Sequence, residues 1–161
     1  MIARRLGALL FTASEAAQEA GNEALRPLAV TVRHFGILTL LAHAGGAAPG
    51  EHEPRLLKRS GRAASPLSQQ AVGEALRIDR TTMVGLVDEL ERAGYVRRER
   101  NPADRRAYVL GLTSEGAEMQ RRAEQSLDEA AESFFASLAE GERRELGAML
   151  LRLIDRPAAD G

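Results

Sequence analysis

Apolar residues recur at helical spacing from the start of the chain. Ile2, Leu6, Leu9, Leu10, Ala13, Ala17, Ala20 and Ala24 fall near one stripe and predict a long amphipathic helix over Ile2–Leu25. Pro27 ends it or starts a turn, and Thr31 is placed to cap a second helix over residues 32–43, with Phe35, Leu38 and Leu41 inward. From 44 to 66 the pattern dissolves into Gly, Ala, Pro and charge, the composition of a loop or linker. Order returns at Leu67. Ser68 caps a helix over 69–77 with Leu67 stapled onto Val72, and Asp79 caps another over 80–93 with Ile78 stapled onto Met83. Gly94 stands where a left-handed residue after a helix belongs. Two short strands, 95–100 and 107–112, flank the turn-forming Asn101-Pro102-Ala103-Asp104. Thr113 or Ser114 then caps a long helical region with a break expected near Glu140-Gly141-Glu142, resuming through Leu146, Met149, Leu150 and Leu153.

The fold class that follows is mainly α with one small β-hairpin. Its units are two N-terminal helices (1–43), a linker (44–66), a winged helix-turn-helix (67–113) and C-terminal helices (114–161). Within 80–93, Met83, Leu86, Val87 and Leu90 must face the core. The opposite face carries Thr81, Gly85, Asp88 and Arg92, with Arg80, Thr82 and Val84 beside it toward the N-terminus. A short-chained polar face of this kind can enter a major groove, where hydroxyls reach base edges and Val84 can meet a thymine methyl. Gly85 costs roughly 1 kcal/mol against alanine in a helix. It is either a tolerated surface glycine or a point where DNA approaches the backbone. The hairpin brings Arg97, Arg98, Arg100, Arg105 and Arg106 together, with Asp104 close enough to orient one of them. Such a hairpin is either a solvated basic loop or a device that crosses phosphates and places a guanidinium in the minor groove.

Composition narrows the classes further. Aromatic residues are only 4%, so the core is aliphatic, which suits helix packing. There is no cysteine, which excludes disulfides, thiolate metal sites and thiol-based sensing. The net charge of −1 hides an asymmetry of +4 over residues 1–112 and −5 over 113–161, so positive potential is offered by the front of the chain. Lys58 is the single lysine among 22 basic residues. Arginine suits phosphates and narrow grooves, and a GC-rich coding sequence explains the bias equally well. Arg4 and Arg5 before Leu6-Gly7-Ala8-Leu9-Leu10-Phe11 make too short an apolar run for a secretion signal, and no segment is long enough to span a bilayer. A cytoplasmic protein is expected.

Several runs are similar to one family: Ser68-Gln69-Gln70, Ile78-Asp79-Arg80-Thr81-Thr82-Met83-Val84, Leu86-Val87-Asp88-Glu89-Leu90-Glu91-Arg92-Ala93-Gly94-Tyr95-Val96, Asn101-Pro102-Ala103-Asp104-Arg105-Arg106 and Leu112-Thr113-Ser114-Glu115-Gly116. Together they resemble the MarR family of bacterial transcription regulators. Val32-Arg33-His34-Phe35-Gly36-Ile37-Leu38 is similar to that family's second helix. The resemblance implies a homodimer whose N- and C-terminal helices interlace and which reads a pseudo-palindrome in double-stranded DNA. It implies DNA contacts from Ser68, Gln69, Gln70, Arg80, Thr81, Thr82, Val84, Gly85, Arg98, Arg100, Asp104, Arg105 and Arg106. Arg106 would be the minor-groove residue held by Asp104, and Asp88 would pair with a wing arginine. It further implies a repressor relieved by a small aromatic or lipophilic effector, for which Phe11, His34, Phe35 and Leu38 are the nominated lining. Segment 44–66 departs from the pattern by its length.

Other classes find little support in the residues. There is no phosphate-binding glycine loop, dinucleotide fingerprint, nucleophile elbow or zinc-protease motif, so no catalytic residues, cofactor or metal are assigned. His43, Glu51, His52 and Glu53 cluster in sequence at a spacing that matches no metal site. A winged helix used only for protein contacts, or a small-molecule sensor with weak DNA affinity, stands as the alternative.

Overall fold

The computed structural model describes residues 2–45, 67–101 and 108–154. Helix α1 (Ile2–Leu25) passes through a 3-10 turn (Arg26–Leu28) into α2 (Val32–Ala44). Helices α3 (Gln69–Leu76) and α4 (Arg80–Arg92) are followed by strands β1 (Val96–Arg100) and β2 (Tyr108–Leu112), then α5 (Ser114–Phe134) and α6 (Glu140–Ile154).

The expected N-caps are all in place. Ser68 Oγ accepts from Ala71 N–H at 3.1 Å, Asp79 Oδ1 from Thr82 N–H at 3.0 Å and Thr113 Oγ1 from Gly116 N–H at 2.9 Å. Thr31 forms a reciprocal cap: its hydroxyl accepts from His34 N–H, and its own N–H donates to His34 Nδ1 at 3.2 Å. Each satisfies a backbone donor that the first turn leaves unpaired. Gly94 adopts φ +78° after α4, the left-handed residue its position called for. Arg77 does the same work after α3 at φ +54°, without being a glycine.

The hairpin is antiparallel, with Val96 opposite Leu112 and Arg100 opposite Tyr108. Leu67 adds a single bridge to Leu110, so the chain entering α3 is tied to the wing. Leu25, Ile37, Leu38, Val72, Met83, Val87, Leu90 and Val96 are fully enclosed and join both ends of the chain into one aliphatic core. Phe35 is half-buried against it. At Gly21 an added Cβ would lie 2.9 Å from Val32 Cγ2 and 3.2 Å from Leu127 Cδ2, so α1 packs tightly on both α2 and α5 at that point.

Several boundaries differ from expectation: α3 and α4 each end one residue earlier, at Leu76 and Arg92. Helix α2 runs one residue further, to Ala44, and Tyr95 precedes the strand rather than starting it. The break in the C-terminal helices falls at 135–139, so Glu140-Gly141-Glu142 is the first turn of α6 and not an interruption. The cause is local. Glu142 reaches back to accept from Ala139 N–H at 2.7 Å, and Arg143 donates from Nε to Phe135 O and Leu138 O at 3.0 and 3.1 Å. Acidic residues favour a helix N-terminus, so the sequence that looked like a breaker is a starter.

Much of the apolar stripe on α1 is uncovered in a single chain. Ile2 is 78% exposed, Phe11 64% and Leu6 and Leu9 59% each. On α6, Leu153 and Ile154 are similarly open. No single helix among the described residues is long and apolar enough to cross a membrane.

Candidate nucleic-acid interface

Helices α3 and α4 meet through a tight turn. Ile78 N–H donates to Gly73 O at 2.9 Å, and a Cβ on Gly73 would stand 3.2 Å from Ile78 O and 3.5 Å from Met83 Cγ. Glycine at 73 therefore sets how closely the two helices approach. Met83, Leu86, Val87 and Leu90 anchor α4 inward, as their spacing predicts. The outward face presents Arg80, Thr81, Val84 and Gly85 to solvent, with Thr82 half-buried. Nothing lies within 4 Å of a Cβ built on Gly85, so that stretch of helix backbone is open to close approach. A groove between the helices is lined by Gln69, Gln70, Arg77, Arg80 and Val84. Asp79, at its edge, has its carboxyl held below the usual range by its hydrogen bond from Thr82, in keeping with its capping role.

The wing arginines differ in what they do. Arg98 points back into the lobe: its Nη2 donates to Asp88 Oδ1 at 2.6 Å and to Gln69 Oε1 at 3.3 Å, and its Nη1 to Glu91. The Asp88 hydrogen bond, with help from the Glu91 charge, raises its already high pKa. One guanidinium thus joins α3, α4 and β1, and the expected pairing of Asp88 with a wing arginine is met by Arg98. Arg98 therefore ties the wing to the lobe, unlike the exposed Arg100 of the same strand. Arg97 pairs with Glu99 on its own strand. Arg100 lies 5.5 Å over the Tyr108 ring, a cation–π contact across the hairpin. Asp104, Arg105 and Arg106 lie outside the described residues, as do Glu51, His52 and Glu53. Among the described residues no group of three or more His, Asp or Glu could hold a metal ion.

The nominated effector residues are spread over different environments. Phe11 is exposed on α1, while Leu38 is enclosed in the core. The His34 ring is buried and committed. Its Nδ1 accepts from Thr31, which places the proton on Nε2, and Nε2 sits 3.1 Å from Glu89 Oε2 on α4 without the alignment of a hydrogen bond. Burial pushes its pKa down, opposed by the Glu89 carboxylate. Sequence reasoning missed the Glu89 approach and the Gln69–Arg98 contact. Both join residues distant in the chain, and no periodicity signals them.

Residues 55–107 match the family model described as the MarR family. A putative transcriptional regulatory protein for the hcr operon of Thauera aromatica is 38% identical over 87 residues, covering 54% of this chain. The chain spans about half, 52%, of that relative's length. Among solved structures, a mutant MarR from E. coli complexed with operator DNA superposes with a TM-score of 0.70 at 22% identity, covering 92% of this chain and 93% of that one. CouR from Rhodococcus jostii RHA1, bound to p-coumaroyl-CoA, gives 0.70 at 24% identity, covering 99% of each. The helix pair, the clasped wing and these likenesses agree: the winged helix-turn-helix of this chain is similar to that of the MarR family.

Proposed function

We propose that this chain is a sequence-specific regulator of transcription that binds double-stranded DNA as a homodimer. Helix α4 enters the major groove, and the wing crosses phosphates beside it, with Asp104 orienting Arg106 toward the minor groove. The observation that supports this most is the outer face of α4. Its exposed, short-chained Thr81, Val84 and Gly85 leave the backbone free for close approach, and Arg80 flanks them at the N-terminal end. The uncovered apolar stripes of α1 and α6 support pairing of two chains, which sets two reading helices on one face of the duplex. The units follow the sequence reading: residues 1–43 and 114–161 pair the chains, and 67–113 reads DNA.

The regulator is a cytoplasmic repressor of a pseudo-palindromic operator, relieved by a small aromatic or lipophilic effector, and performs no catalysis. Solved relatives bound to operator DNA and to p-coumaroyl-CoA favour that reading. Phe11, His34, Phe35 and Leu38 are the residues nominated for the effector. The test is a gel shift on duplexes tiling the region upstream of the encoding gene. A preferred duplex should be bound at least about tenfold more tightly than random sequence, and binding should fall steeply with salt. Equal, salt-insensitive binding to all duplexes would refute it. Arg106→Ala should weaken binding on every duplex, while changes at Thr81 or Thr82 should alter which duplex is preferred.

A further inference from the structure

We propose that Arg98 fixes the polarity of the Gln69 side-chain amide, so that Gln69 turns its N–H donors rather than its oxygen toward DNA and serves as a phosphate contact. The inference rests on the DNA-binding reading above and assigns a positioning role that the reading does not contain. A guanidinium has donors only, so the group of Gln69 that faces Arg98 Nη2 at 3.3 Å must be the carbonyl oxygen, Oε1. The amide nitrogen then points away from Arg98 at the start of α3, where half-buried Gln69 lines the groove that also carries Gln70, Arg80 and Val84. Asp88 and Glu91 hold the guanidinium from its other sides, so the amide is set by a group that is itself immobilised.

The neighbouring glutamine provides an internal contrast. Gln70 spends its own Nε2 on Glu74 Oε1 at 2.8 Å, which leaves its oxygen outward. Two adjacent glutamines therefore present opposite polarity from one helix. Phosphate oxygens accept and never donate, so the donors of Gln69 are matched to a phosphate, whereas Gln70 has one N–H committed to Glu74 and turns its oxygen away from it. The contact adds affinity on any sequence, because it reads no base edge.

The test uses fluorescence anisotropy on two duplexes: one recovered by the wild-type protein from a random-sequence library, and a scrambled version of it. Gln69→Met should bind both duplexes about tenfold more weakly, with an unchanged salt slope, since no charge is removed. Gln70→Met should not weaken the two duplexes alike, because its outward oxygen cannot meet a phosphate. In an Arg98→Lys background the same Gln69→Met change should add less than about twofold, because the amide is no longer held. Thermal melting of each variant shows that it is folded. Gln69→Glu against Gln70→Glu gives a second reading that needs no change at Arg98. Each adds one negative charge, but only the first turns an acceptor outward in place of a donor, so it should bind more weakly by a further factor of about ten. Wild-type affinity in Gln69→Met would overturn the contact. An equal Gln69→Met loss in both backgrounds would overturn the positioning by Arg98, and equal losses in the two Glu variants would overturn the polarity. A wild-type protein that enriches no duplex from the library would overturn the underlying reading as well, an outcome distinct from the other three.

Discussion

Gly116 is the third residue of α5, and its neighbours leave no room for a side chain. A Cβ there would sit 2.0 Å from Tyr95 O, 2.8 Å from Leu112 Cδ1 and 2.9 Å from the Tyr95 carbonyl carbon. The obstruction is mostly backbone, so a rotamer change cannot relieve it. The same spot is sewn together by Thr113, whose N–H donates to Tyr95 O at 3.1 Å and whose hydroxyl lies 2.7 Å from Gly94 O while accepting from Gly116 N–H. Gly116→Ala must push α5 away from the Tyr95 carbonyl and loosen this cap. Overpacking costs about 1–3 kcal/mol and loss of a Thr cap about 1 kcal/mol, so the expected destabilisation is about 2–4 kcal/mol. For a chain of this size that is a fall of about 5–15 °C in Tm. Urea unfolding monitored by circular dichroism at several protein concentrations measures it free of any association effect. A destabilisation below about 0.5 kcal/mol would mean that the α5 start is not clamped as described.

Gly85→Ala makes the opposite case: its Cβ meets nothing, so helix propensity should stabilise the protein by up to about 1 kcal/mol, while anisotropy on the preferred duplex should show weaker binding if DNA comes close at that point. Unchanged affinity would return Gly85 to an ordinary surface position. His34 has its pKa lowered from 6.5 by burial, so the unfolded chain takes up the proton first as pH falls. The stability it contributes is present above 6.5 and is lost as pH drops through the lower folded value; His34→Gln should flatten that part of the urea-midpoint profile, and an unflattened profile would exclude His34 as the cause. Leu9→Asp combined with Leu10→Asp should turn a dimer into a monomer in sedimentation without loss of helix content, because both side chains are largely exposed in a single chain. A wild-type monomer at micromolar concentration would contradict the pairing outright.

The parts of this fold that were legible in sequence are those set by local rules. Ser68, Asp79, Thr31 and Thr113 announce helix starts because a short oxygen-bearing side chain before an apolar stripe has one obvious use. The inward face of α4 follows from four residues at one spacing. The Glu140–Glu142 boundary was misplaced because a glycine between two glutamates looks like a breaker until Glu142 is seen capping Ala139. Arg98 is one basic residue among several in the hairpin sequence, and only the meeting of three elements separates it from the exposed Arg97 and Arg100. His34 presents the same difficulty. Its capping role lies within reach of the sequence three residues away, but its approach to Glu89 depends on how α2 and α4 pack.

The Thr113 stitch has a mechanical consequence. It joins the end of α4, at Gly94 and Tyr95, to the first turn of a rod 21 residues long. Such a rod extends about 30 Å. Pivoted at its far end, where Phe134 and Phe135 turn the chain toward α6, a tilt of only about 5° displaces the joined end by about 3 Å. A joint this tight would make α5 a lever arm: a small angular change at its far end would reach the C-terminal end of α4 as a translation of about 3 Å.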